Sequence, residues 1–140
     1  MKNIVLTLTL LTMGISTEMK AQQTDVQAIE KTLNYYLTGF KNNDAVTLSK
    51  AFHPTATMKW SGENYKEVNA IEALTKGMDG TPKKEKIFTR VVSINATRNA
   101  ASAQLEIEFP TFTYIDFMHV LKIDGNWKIV SKIFTKREKE

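Results

Sequence analysis

Cysteine is absent from this 140-residue sequence, and histidine and proline are scarce, with two and three copies. The first absence excludes disulfide frameworks, thiolate zinc sites, iron–sulfur clusters and cysteine nucleophiles together. Two histidines are a poor basis for a histidine-rich metal cage, so neither a metal nor a cofactor is expected. There is no glycine-rich phosphate loop, no His-Glu-x-x-His pair and no Gly-x-Ser-x-Gly elbow. Repeats and low-complexity segments are missing too. Positive charge is not concentrated: the formal charge is +4, and the basic stretches Lys83-Lys84-Glu85-Lys86 and Lys136-Arg137-Glu138-Lys139-Glu140 are both broken by acids. A nucleic-acid face gathers Lys and Arg along one surface, so no nucleic-acid partner is expected.

What is present fits one globular domain. Hydrophobic residues make up 42% of the chain and charged residues 24%, and a chain of this length buries about two-thirds of its unfolded surface without covalent staples.

Processing comes before fold. Residues 1–21 carry Lys2, an apolar stretch from Ile4 to Ile15 and a polar segment ending Met19-Lys20-Ala21. That is the order of a secretory signal peptide, and the apolar part falls short of the ~20 residues a spanning helix needs. Cleavage is expected near Ala21, leaving a secreted or periplasmic domain over residues 22–140 with no stable membrane insertion. The other reading of the segment is an amphipathic or buried first helix.

From Thr24 the apolar residues Val26, Ile29, Leu33, Tyr36, Leu37 and Phe40 recur every three or four positions. The spacing predicts an amphipathic helix with Thr24 as N-cap and Gln27 in the capping-box position, ending at Lys41-Asn42-Asn43. Asp44 caps a second, shorter helix through Val46, Leu48, Ala51 and Phe52, which Pro54 stops near His53. Thr55 to Trp60 reads as a strand, and Val68, Ala70, Ile71 and Leu74 as a third helix broken around Gly77 and Gly80-Thr81-Pro82. Four strands follow, with turns at Arg98-Asn99 and at Asp124-Gly125-Asn126. In the third of them Ile115, Phe117, His119, Leu121 and Ile123 share the face predicted to be dry, which turns Asp116 outward unless a bulge at Pro110 to Tyr114 reverses it. In the last, Trp127, Ile129, Ser131 and Ile133 alternate with Lys128, Val130, Lys132 and Phe134, and both lysines read as solvated. Helices followed by a run of antiparallel strands make an α+β domain.

Three stretches give this order a likeness: Tyr36 to Asp44, Phe52-His53-Pro54-Thr55-Ala56-Thr57, and the hairpin Leu121-Lys122-Ile123-Asp124-Gly125-Asn126-Trp127-Lys128-Ile129-Val130 with the following Ser131 to Phe134. The chain from about Thr24 to Phe134 resembles the nuclear transport factor 2-like superfamily. Within it the chain is most similar to the secreted bacterial, SnoaL-like proteins grouped as Putative lumazine-binding. The resemblance implies a cone-shaped α+β fold, with three N-terminal helices packed against a curved, mainly antiparallel sheet, and a homodimer. It implies a small apolar or aromatic ligand at the open end of the cone. Isomerases, dehydratases, non-catalytic binders and protein-interaction modules share this fold, so fold alone does not choose among them.

Residue by residue, Tyr36 falls where the superfamily's ketosteroid isomerases carry an oxyanion-donating tyrosine, and a core tyrosine with its hydroxyl at a pocket rim is the plainer reading. The isomerase base falls at Trp60, whose indole takes no proton, so that mechanism does not transfer directly. The second oxyanion donor falls at His119, either an acid or base of an enzyme or a hydrogen-bonded core histidine. The expected pocket is lined by Tyr36, Trp60, Phe109, Phe117, His119 and Trp127. The first expectation is a small-molecule binder; the alternatives are an isomerase- or dehydratase-type enzyme using His119 and Tyr36, and a protein-interaction module.

Overall fold

The computed structural model describes residues 2–140, with side chains described from residue 14 onward. Much of the expected leader's apolar stretch therefore lies outside the described side chains. The described backbone contains three helices, α1 (Lys2–Asn42), α2 (Ala45–Ser49) and α3 (Ala70–Thr75), and six strands, β1 (Phe52–Ser61), β2 (Tyr65–Asn69), β3 (Phe88–Thr97), β4 (Ala100–Glu108), β5 (Phe112–Ile123) and β6 (Asn126–Glu138). The strands form one sheet in the order β2-β1-β6-β5-β4-β3, with β1 and β6 parallel and every other pair antiparallel. The helices pack against this curved, unclosed sheet, giving the α+β class that the order of elements predicts.

The first helix is longer than predicted. No proline interrupts residues 2–42, and Thr24 sits inside α1, where its hydroxyl donates to the Lys20 carbonyl at 2.9 Å instead of capping a helix. Residues 14–24 of α1 are exposed; the predicted stripe of Ile29, Leu33, Tyr36 and Leu37 is buried against the sheet. α1 ends where expected. Asn43 adopts φ +57°, and the Asp44 and Asn43 amides donate to the carbonyls of Gly39 at 2.8 Å and Phe40 at 3.3 Å. This paired bonding with a left-handed residue is the Schellman arrangement, which satisfies carbonyls the helix end would leave open. Asp44 then caps α2 by accepting from the Thr47 amide at 3.0 Å.

Two local predictions are corrected. α2 stops at Ser49, and Phe52 and His53 already belong to β1, where His53 Nδ1 lies 2.9 Å from the Thr55 hydroxyl rather than closing a helix. Pro54 fits inside this strand because the β1–β6 register shifts between Phe52 and Thr57, so no ladder bond is required of it. The segment Tyr65–Asn69, whose sequence pattern does not mark it as a strand, pairs with β1 as an edge strand.

The hairpin turns occur as predicted, with positive φ at Arg98, Asp124 and Gly125. Register shifts in the β3–β4, β1–β6 and β5–β6 pairs mark the irregularities that accompany the sheet's bend. The β5–β6 shift has the largest consequence for function. His119 pairs with Ser131 but the next residue, Val120, pairs with Ile129, leaving Val130 as the extra residue. Before this bulge the inward residues of β6 are Trp127 and Ile129; after it they are Lys132 and Phe134.

Candidate functional site

Beneath α1, the inner face of the sheet carries a buried polar group made of three residues from three elements. Tyr36, one turn beyond Leu33 on the apolar stripe of α1, donates its hydroxyl hydrogen to Asp116 Oδ2 at 2.7 Å. The other carboxylate oxygen of Asp116, on β5, accepts from Lys132 Nζ on β6. Tyr36 and Asp116 are 1% and 0% exposed and Lys132 is 3% exposed, so the ion pair has left water. An apolar pair of similar size would avoid the desolvation of two charges, which makes this pair weak as a stabiliser and points to use of the groups themselves.

A cavity of about 180 Å³ opens over these groups, bounded also by Phe40, Met58, Leu74, Tyr114 and Phe134. It is smaller than the ~300–1,000 Å³ of drug-sized ligand sites, so it suits a small ligand. Its wall is aromatic. Tyr114 meets Phe134 edge-on at 5.8 Å between ring centres, and Phe40 meets Phe109 edge-on at 6.3 Å. Lys132 Nζ lies 4.5 Å from the ring centre of Phe134 and 5.6 Å from that of Tyr36, within cation–π range.

The surroundings perturb the two end members in opposite directions. Burial pushes the Lys132 ammonium below the ordinary lysine range, and the Asp116 carboxylate opposes that shift without cancelling it. Tyr36 is pushed well above the ordinary phenol range, first by burial and then by the charge and hydrogen bond of Asp116. An ammonium has three donors, and Asp116 is the acceptor Lys132 Nζ bonds among the described residues. The Tyr36 oxygen, which donates to Asp116, retains acceptor capacity. Chemically, the floor can bind an electron-rich oxygen and can relay a proton between amine, carboxylate and phenol.

Of the six pocket residues named from sequence, Tyr36 lines this cavity. Trp60 packs at 5.4 Å on Phe134, and Phe109 meets both Phe40 and Tyr114, so these two support its wall. The inward placement of His119 and Phe117 is corrected. β4 and β5 pair without a shift, Leu105 opposite Asp116 and Gln104 opposite Phe117, which fixes Asp116 and Met118 inward and Phe117 and His119 outward. His119 and Phe117 border a separate groove on the outer face with Ser93, Asn95, Ser102 and Gln104. Trp127 is buried, but its indole N–H donates to Asp25 at 3.2 Å, ~16 Å along α1 from Tyr36. It borders a different depression, with Thr32, Tyr35 and Lys50.

Asp116 and Lys132 are the functional candidates that sequence reasoning set on the wrong face. Both lie in strands whose two faces each carry large apolar residues, so alternation did not separate inside from outside. A charge flanked by Tyr114 and Met118 at two-residue spacing was the available signal for Asp116. For Lys132 the signal was hidden by the bulge at Val130.

A curved, unclosed sheet packed against helices is the architecture that this chain shares with nuclear transport factor 2-like proteins. The chain belongs to the family described as Putative lumazine-binding, whose match runs over residues 24–135. It is similar in structure to a nuclear transport factor 2-like protein of unknown function from Shewanella baltica, at 26% identity and a TM-score of 0.74 over 83% of this chain and 96% of that one. A second such protein, from Methylobacillus flagellatus, is 27% identical with a TM-score of 0.71 over 81% and 93% of the two chains. Among curated proteins, Aldolase FrzH of a Cladobotryum species is 29% identical over 112 residues, 79% of this chain and 90% of that protein.

Proposed function

We propose that this protein binds a small, largely apolar carbonyl compound in the cavity above Tyr36, Asp116 and Lys132. The observation that carries the reading is the buried Lys132–Asp116–Tyr36 group at the floor of an otherwise apolar space. A ligand oxygen would accept from Lys132 Nζ while the ligand's body packs against Phe40, Met58 and Phe134. A binding screen of lumazine, benzaldehyde, cyclohexanone and their hydroxyl analogues against the intact chain tests this, read by thermal shift and calorimetry. Saturable binding that Lys132→Met weakens supports the reading; binding unchanged by Lys132→Met and Tyr36→Phe overturns it.

A second reading makes the site catalytic. The likeness to a protein named an aldolase favours proton transfer or carbon–carbon chemistry beside a carbonyl, with Asp116 and Lys132 taking the roles that the sequence reading gave to His119. Turnover of aldol donors and acceptors lost in Lys132→Met would separate enzyme from carrier.

Two further parts of the reading concern assembly and compartment. Phe117 and Ile133 pair directly across β5 and β6 on the outer face and are 43% and 50% exposed, which suits an isologous contact with a second copy. Residues 14–24 are exposed and the family match begins at residue 24, which is consistent with a leader removed near Ala21. Amino-terminal sequencing of the protein recovered from the periplasm or medium tests that step, and recovery of uncleaved chain from the cytosol rejects it.

A further inference from the structure

We infer that Lys132 is a covalent, Schiff-base-forming residue, its Nζ condensing with the aldehyde or ketone carbonyl of the ligand held in the cavity while Asp116 and Tyr36 move the protons. This rests on the carbonyl-binding reading above and adds a bond to it.

The placement carries the argument. Lys132 is the one lysine among the described buried residues, and its side chain borders the cavity. Its amine lies between the rings of Tyr36 and Phe134, where water competes little for it. A lysine becomes a nucleophile when burial raises its share of free amine at neutral pH, and burial acts on Lys132 in that direction. Asp116 supplies the second requirement, an immediate acceptor for the ammonium proton. Its other oxygen holds the Tyr36 hydroxyl, so a donor to the departing oxygen stands one hydrogen bond away.

The step balances without a further reactant. Lys132 gives one proton to Asp116 and becomes a free amine, and its lone pair attacks the carbonyl carbon as the carbon–oxygen π pair moves onto oxygen. A proton passes from nitrogen to that oxygen, through the Tyr36 hydroxyl, giving a neutral carbinolamine. Asp116 returns its proton to the hydroxyl, water leaves with the carbon–oxygen pair, and the nitrogen lone pair forms the iminium. One positive charge faces the Asp116 carboxylate before and after, and between them acid and amine are neutral together, so the buried carboxylate is never charged without its counter-ion. That conservation gives a physical reason to keep an ion pair in the interior.

The test uses the full chain, benzaldehyde and sodium cyanoborohydride at neutral pH, followed by digestion and peptide mass mapping. Burial favours the free amine of Lys132 and the cavity holds the aldehyde beside it, so a benzyl group on Lys132 in excess of the level on every exposed lysine is the expected result. Label on exposed lysines with Lys132 unmodified overturns the inference. Benzyl alcohol, which is close to benzaldehyde in size and forms no imine, is run in parallel by thermal shift. Stabilisation by the alcohol with Lys132 unlabelled rejects the covalent step and leaves the binding reading standing; neither effect rejects both. The wild-type map decides the matter even if Lys132→Met does not fold.

Discussion

The Tyr36 hydroxyl donates to Asp116 Oδ2 at 2.7 Å across 80 residues of sequence, tying the middle of α1 to the inner face of β5. Both residues are out of contact with water, so the bond has no solvent substitute. Tyr36→Phe keeps the ring and its edge-on contact with Phe52 at 5.6 Å and removes the donor alone. Loss of a partner to a buried polar group costs ~1–3 kcal/mol, which is the expected drop in a urea titration at neutral pH. The sign of the alkaline dependence follows from the raised phenol pKa. The hydroxyl's contribution is complete below the ordinary phenol value of ~10 and is lost as pH rises through the raised folded value. Tyr36→Phe therefore flattens stability against pH above ~10, and an unchanged slope would mean that the Tyr36 phenol has the same pKa folded and unfolded, contradicting the raised folded value.

Asp116 and Lys132 are expected to behave as one unit. Removing one partner of a buried pair strands the other, at ~3–5 kcal/mol, whereas replacing both with apolar groups of similar size is often near neutral. The double variant Asp116→Leu/Lys132→Met should therefore be more stable than either single variant, as read by denaturant midpoints at constant slope. A double loss equal to the sum of the single losses would mean that the two groups do not interact.

The reactivity of Lys132 has a predicted pH dependence. Burial lowers its pKa and Asp116 opposes the shift, so labelling of Lys132 by an aldehyde and cyanoborohydride should reach half-maximum below the ~10.4 of an ordinary lysine. Asp116→Asn removes the opposing charge, and the midpoint should fall further. A midpoint that rises in Asp116→Asn contradicts the assigned balance of burial and charge.

Periodicity in the sequence was sufficient for α1 because a helix stripe is redundant: Ile29, Leu33, Tyr36 and Leu37 agree on one face. Its beginning was not legible, since Thr24 and Gln27 look like a cap in a segment that simply continues as helix. Turns were readable where chemistry demands left-handed backbone, as at Asp124-Gly125. The site was readable only in part. Tyr36 came from its place on α1, but a strand's two faces are separated by a single residue step, and one bulge exchanges them. In β5 the more apolar parity, with Phe117, Leu121 and Ile123, is the outer one, and in β6 the bulge at Val130 brings Lys132 inside.

Gly39 is required by the approach of α2. A Cβ added there would lie 2.7 Å from both Cα and Cβ of Leu48 and collide with its backbone nitrogen. The obstruction is largely backbone, so a smaller residue at 48 cannot relieve it. Gly39→Ala should destabilise the chain by ~1–3 kcal/mol, the usual range for overpacking, and Gly39→Ala/Leu48→Ala should be less stable still. Rescue by Leu48→Ala would place the conflict in the side chain instead.

The outward parity of His119 and Phe117 gives the last prediction its form, because the same substitutions report on two surfaces. His119 shares its outer row with Ser102 and Ser131, while Phe117 sits between Gln104 and Ile133. None of these side chains borders the cavity over Lys132, so His119→Ala should leave small-molecule binding and benzaldehyde labelling at the wild-type level. A charge at Phe117 or Ile133 acts elsewhere: in an isologous contact each substitution appears twice, and like charges face each other across the two-fold. Phe117→Glu and Ile133→Glu should therefore shift sedimentation from dimer to monomer with the labelling pattern of Lys132 retained. A wild-type chain that sediments as a monomer removes the assembly reading, and lost labelling in His119→Ala would couple the outer face to the cavity through β5.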